Sequence, residues 1–133
     1  MTHWSERYIG LPYRLGGRDW NGVDCWGLLY LYFKEERGIL LPELSECATW
    51  NLLELSSELV KGVQQGWELL REPEEGCAVA MSLRTVPHHV GIWTEADGGK
   101  VLHCWSSQPV VADTMRGLRA KGIRTVEFYG FHY

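Results

Sequence analysis

Near Gly76 the hydrophobic pattern of this 133-residue chain changes its repeat. Upstream, residues 25–37 are dense in Leu, Tyr and Phe and close on Glu35, Glu36 and Arg37, a helical segment with Asp24 as N-cap and Gly38 as C-terminal stop. Downstream, short apolar runs with strand-like alternation are bounded by turn residues. Helices followed by several short antiparallel strands, with no βαβ alternation, predict an α+β fold in which helices pack against one sheet. The length suits one hydrophobic core, so residues 1–133 are expected to form a single domain.

Four glycines and Pro12 punctuate residues 8–24, which predicts an ordered loop. Gly27 weakens the first turn of the helix that follows, but it allows another segment to approach closely. Residues 38–42 read as a turn or short link, and 43–70 as helix in one or two pieces, with Gly62 and Gly66 interrupting it. A charged turn with Pro73 fills 71–76. Strands are expected over 77–83, 88–94, 100–105, 110–112 and 124–133, with a turn at 96–99. Tyr30, Phe33, Phe128 and Tyr129 fall on periodic positions and are expected in the core.

Composition removes some function classes. A net charge of -4 provides no basic field for a phosphate backbone, which excludes nucleic acid as the expected partner. The apolar runs fall well short of the roughly 20 residues that span a bilayer, so no membrane insertion is expected. Residues 1–10 lack the pattern of an export signal, which predicts a cytoplasmic location. Cysteines at 25, 47, 77 and 104 form no closely spaced pair, and without an export signal four reduced thiols are expected.

Three residues can carry chemistry together. Cys25 follows the N-cap, where orphan N–H groups and the positive end of the helix dipole favour a thiolate. His89 opens the run His-Val-Gly-Ile-Trp, in which His89, Gly91 and Trp93 face one way while Val90 and Ile92 face the core. Its imidazole can take a thiol proton near neutral pH. His103 lies on the next strand, and a hairpin at 96–99 brings it near His89, where it can orient the base through its second ring nitrogen. Each residue also has an ordinary reading: Cys25 as an inert core thiol, His89 as a half-exposed surface histidine, His103 as an isolated half-buried one. Zinc held by Cys25, His89 and His103 ranks below thiol catalysis, because no HExxH and no close Cys pair accompanies them.

The ordered combination Pro12-Tyr13-Arg14-Leu15-Gly16-Gly17, Gly22-Val23-Asp24-Cys25-Trp26-Gly27-Leu28, His89-Val90-Gly91-Ile92 and Leu102-His103 resembles the NlpC-type papain-like cell-wall cysteine peptidases. The resemblance extends to the branch encoded with phage tails and gene transfer agents. It implies a Cys-His-His enzyme with Cys25 as nucleophile, His89 as general base and acid, His103 as the orienting residue and Tyr13 at the oxyanion region. The implied substrate is a peptidoglycan stem peptide, cut between γ-D-glutamate and a diamino acid, with no cofactor. Phage-like tail proteins are the implied partners, and a virion or tail component is the implied destination. Arg14, Arg18, Asp19 and Trp26 are candidates for substrate binding, and each also has a reading as an ordinary solvated or packing residue.

Three features depart from that family pattern. Trp26 stands where relatives carry a compact residue, Cys77 stands where they often carry Asp, and neither an export segment nor a wall-binding domain is expected from the residues read. The alternative is a noncatalytic tail assembly protein that retains the fold.

Overall fold

The computed structural model describes residues 3–40, 67–82, 89–104 and 108–131. Helix α1, Cys25–Arg37, begins and ends where the sequence predicts. The Asp24 side chain accepts the Gly27 N–H, and Gly38 closes the helix at φ 66, a left-handed conformation that favours glycine. Every residue from Cys25 to Phe33 is buried, so α1 is an interior helix rather than an amphipathic one.

Strands β1 (Arg18–Asp19) and β2 (Gly22–Val23) form a small antiparallel pair inside the glycine-rich segment. The main sheet contains β3 (Trp67–Leu70), β4 (Ala78–Ser82), β5 (His89–Thr94), β6 (Lys100–His103), β7 (Val111–Asp113) and β8 (Thr125–Phe131). All its pairings are antiparallel, in the order β3-β8-β4-β5-β6-β7. A second helix, α2, spans Met115–Ala120.

Strand alternation gives the sheet two different faces. Val90, Ile92 and Leu102 join Leu28, Leu29 and Phe33 of α1 in one apolar cluster. Val79, Met81, Trp93 and Val101 point the other way and cluster with Leu118 of α2 and Ile123. Tyr30 and Phe33 are buried, while Phe128 and Tyr129 are partly buried against the clusters.

Four expectations need correction. Residues 67–70 are not the end of a helix but an edge strand paired with β8, which leaves Leu69 exposed and Leu70 packed inward. The rest of the predicted helix, 43–66, lies outside the described residues. The loop over 8–24 contains the β1–β2 pair, too short to leave an alternating pattern. β7 is displaced by one residue from 110–112, so that Asp113 joins the sheet opposite Val101. Helix α2 was not expected: it is one short segment, capped by Thr114 and interrupted by Gly117, with Leu118 its buried residue.

Candidate active site

Asp24 builds the start of α1. Its carboxylate is fully buried and accepts the Gly16 N–H at 2.7 Å, the Gly27 N–H at 2.7 Å and Arg18 Nη1 at 2.9 Å. Arg18 also donates to the Gly17 carbonyl at 2.9 Å. The glycine-rich segment is thereby fastened across the first helical turn. A Cβ on Gly27 would lie 1.8 Å from the Gly17 carbonyl oxygen, so the close approach expected of this glycine is present. Cys25, 5% exposed, occupies the first position of the helix, at the positive end of its dipole.

On the sheet, His89 is the first residue of β5 and His103 the last of β6. Gly91 is the register partner of His103, and a Cβ there would lie 2.5 Å from the Leu102 carbonyl and 3.1 Å from the His103 Cβ. His89 Nε2 and His103 Nδ1 stand 2.9 Å apart, with the rings inclined at 73°. His103 Nε2 lies 2.6 Å from Asp113 Oδ2, and Lys121 Nζ reaches the same oxygen at 2.6 Å. Four polar side chains from β5, β6, β7 and the end of α2 thus form one continuous network.

Burial pulls the fully enclosed His103 imidazole below its ordinary pKa, against the opposing pull of the Asp113 carboxylate. Burial by itself would raise Asp113. Hydrogen bonds from Lys121 and His103 overcome that effect and hold the carboxyl below its ordinary range. At neutral pH the 2.6 Å His103–Asp113 contact is accordingly a hydrogen bond from a neutral ring to a carboxylate.

One further contact relates this network to α1. The Cys104 sulfur, next along from His103, lies 3.4 Å from the carbonyl oxygen of Val23, two residues before Cys25, and 3.3 Å from that of Gln108, the two sharing its one hydrogen. The end of β6 therefore abuts the start of α1. Because β5 runs antiparallel to β6, its first residue lies at the same end of the sheet. His89 and His103 lie at that end of the sheet, and Cys25 stands two residues beyond Val23.

Residues 10–123 match the NlpC/P60 family. The chain belongs to the NlpC/P60 family. The crystal structure of the NlpC/p60 domain of the peptidoglycan hydrolase SagA is similar over 93% of this chain and 91% of that one, with a TM-score of 0.62 and 18% identity. At that identity the likeness concerns the fold: a mixed α+β, papain-like NlpC-type architecture with an N-terminal helix against a large antiparallel sheet. No curated protein matches the chain. Family and fold together are consistent with a peptidoglycan-acting hydrolase bearing Cys and His residues.

The other residues singled out in this NlpC/P60 chain are placed as follows. Tyr13 is partly buried and its backbone bridges to Val23, beside Cys25. Arg14 is exposed, with its N–H bound to the Val23 carbonyl at 3.0 Å. Arg18 is engaged with Asp24 and Gly17, and exposed Asp19 accepts the Asn21 N–H at 2.9 Å in the β1–β2 turn. Trp26 is 2% exposed and lies in the α1 cluster, which leaves it little surface for a ligand. Cys25, Cys77 and Cys104 are present as thiols, while Cys47 lies outside the described residues. Burial pushes Cys77 up to about 11 and Cys104 up to about 12. No helix among the described residues is long and apolar enough to cross a membrane.

Among the described residues no group of three or more His, Cys, Asp or Glu side chains is arranged to hold a metal ion. Both ring nitrogens of His103 are already occupied by hydrogen bonds, which removes it from any zinc set with Cys25 and His89. Asp113 and Lys121 were not found by sequence reasoning. Asp113 stands two residues beyond the register partner of His103, on the same strand face, a relation that only the β6–β7 pairing reveals.

Proposed function

We infer that the chain is a thiol-dependent amide hydrolase acting on peptidoglycan stem peptides, with residues 1–133 working as one domain. The observation that carries this reading is the hydrogen-bonded His89–His103 pair at the sheet end that the Cys104–Val23 contact ties to the start of α1. Cys25 is the proposed nucleophile and His89 its base. Alternation directs the histidines toward the α2 face, whereas α1 covers the other. His89 opens its strand, so the proposal has thiol and imidazole meet around the end of the sheet rather than through it.

In the proposed reaction, His89 takes the thiol proton and the Cys25 sulfur attacks the amide carbonyl carbon, forming a C–S bond. The oxyanion is met by the Cys25 backbone N–H at the helix start, with Tyr13 alongside. The C–N bond breaks as His89 returns its proton to the leaving amine. Water, deprotonated by His89, then hydrolyses the thioester, and the proton goes back to the thiol. The γ-D-glutamyl to diamino acid bond, recognition by Arg14 and Asp19, and a place in a phage-like tail with cytoplasmic storage before assembly rest on the sequence resemblance alone.

Incubation of purified muropeptides with wild type and with C25A tests the reading. New amino termini are expected with wild type and none with C25A. Equal product profiles contradict it.

A further inference from the structure

We propose that Asp113, backed by Lys121, is a positioning residue that fixes which nitrogen of His89 carries a hydrogen, and so presents the His89 Nδ1 lone pair to the thiol. This rests on the reading of Cys25 and His89 given above. An ionised carboxylate only accepts, so the hydrogen on the 2.6 Å contact belongs to His103 Nε2. A neutral imidazole holds one ring N–H, which leaves His103 Nδ1 as an acceptor. Its partner at 2.9 Å, His89 Nε2, must then donate. Neutral His89 has no second N–H, and its Nδ1 is the basic nitrogen.

Each step follows from the one before, and the first is set on β7, away from the thiol. Lys121 fixes that first step: its ammonium shares Oδ2 with His103 and favours the ionised carboxylate. Burial of His103 favours the neutral ring that the sequence of hydrogen bonds requires. When His89 Nδ1 takes the proton from sulfur, no other proton moves. The new positive charge strengthens the His89 Nε2–H bond to His103, whose far side rests on the Asp113 charge. Asp113 touches neither substrate nor thiol in this scheme and acts through two rings.

Two-bond proton–nitrogen spectra of labelled wild-type protein at neutral pH read the tautomers directly, with H89Q and H103Q assigning the signals. Both rings are expected as Nε2–H tautomers; an Nδ1–H tautomer in either ring overturns the proposal. Alkylation of Cys25 by iodoacetamide gives the kinetic readout. D113L removes the acceptor and is expected to slow alkylation about 100-fold. D113N keeps an amide oxygen between Lys121 and His103 and is expected to recover the rate to within about tenfold of wild type. Where Cys25 of the wild type reacts, equal rates in D113L and D113N, or D113L indistinguishable from wild type, overturn the proposal. If D113L does not fold, the wild-type spectrum decides. Expected tautomers alongside an inert Cys25 would support the role of Asp113 and refute the nucleophile assignment, so the two failures are distinguishable.

Discussion

Asp24 and Asp113 are both carboxylates held near the same end of the molecule, yet they are held by different kinds of partner. Asp24 is sealed from solvent, and two of its three donors are backbone N–H groups. Asp113 keeps 18% of its side chain exposed, and its donors are the side chains of His103 and Lys121. Backbone donors stay in place whatever the pH, which makes Asp24 a fixed anchor for the start of α1. Side-chain donors titrate and rotate, which lets Asp113 pass information about protonation along a network. On the proposed reading, the anchor governs stability and the network governs reactivity.

The sharpest way to break this contrast is D24A. It removes the N-cap and leaves Arg18 and two N–H groups without their buried acceptor, at an expected cost of about 3–5 kcal/mol in urea denaturation. G27A comes next. A Cβ 1.8 Å from a backbone carbonyl forces the glycine-rich segment off the helix, and thermal unfolding is expected to show a loss of about 2–3 kcal/mol. D113L should cost less, about 1–2 kcal/mol, because half-exposed Lys121 can turn to water while only the buried His103 N–H loses its acceptor. A D113L penalty as large as that of D24A would erase the distinction.

The smallest effect is on pH dependence. The folded-state pKa of His103 is depressed, so the unfolded chain binds the proton more readily. The His103 contribution is therefore fully present above its ordinary value of 6.5 and is lost as pH falls below it. Depressed Asp113 adds a further loss in more acidic solution. Denaturant midpoints measured across this range should fall on acidification in wild type, with a shallower slope near 6.5 in H103Q. Identical slopes would show that His103 is not the group responsible.

The same contrast explains what the sequence could reveal. Asp24 obeys a rule of adjacency, a capping side chain three residues from its N–H partner, and Gly38 obeys another, so α1 was legible from end to end. Strands β4, β5, β6 and β8 were legible because their apolar residues alternate between turns. The pairing of His89 with His103 followed from the short turn between their strands. Asp113 was not legible, since its value depends on β7 lying beside β6 in a particular register. β3 was missed because an edge strand with exposed Leu69 and inward Leu70 has the same composition as a continuing helix. α2 was missed because six residues centred on a glycine carry almost no periodic signal.

The central claim is that the thiol at the start of α1 is activated by the imidazole at the start of β5. Peptide mapping after brief iodoacetamide treatment at neutral pH, in wild type and H89A, tests it most directly. Cys25 should be labelled well ahead of Cys77 and Cys104, whose thiols burial holds up to about 11 and about 12, and H89A should remove that lead. Labelling of Cys77 or Cys104 in preference to Cys25, or a Cys25 rate unchanged in H89A, would contradict the account.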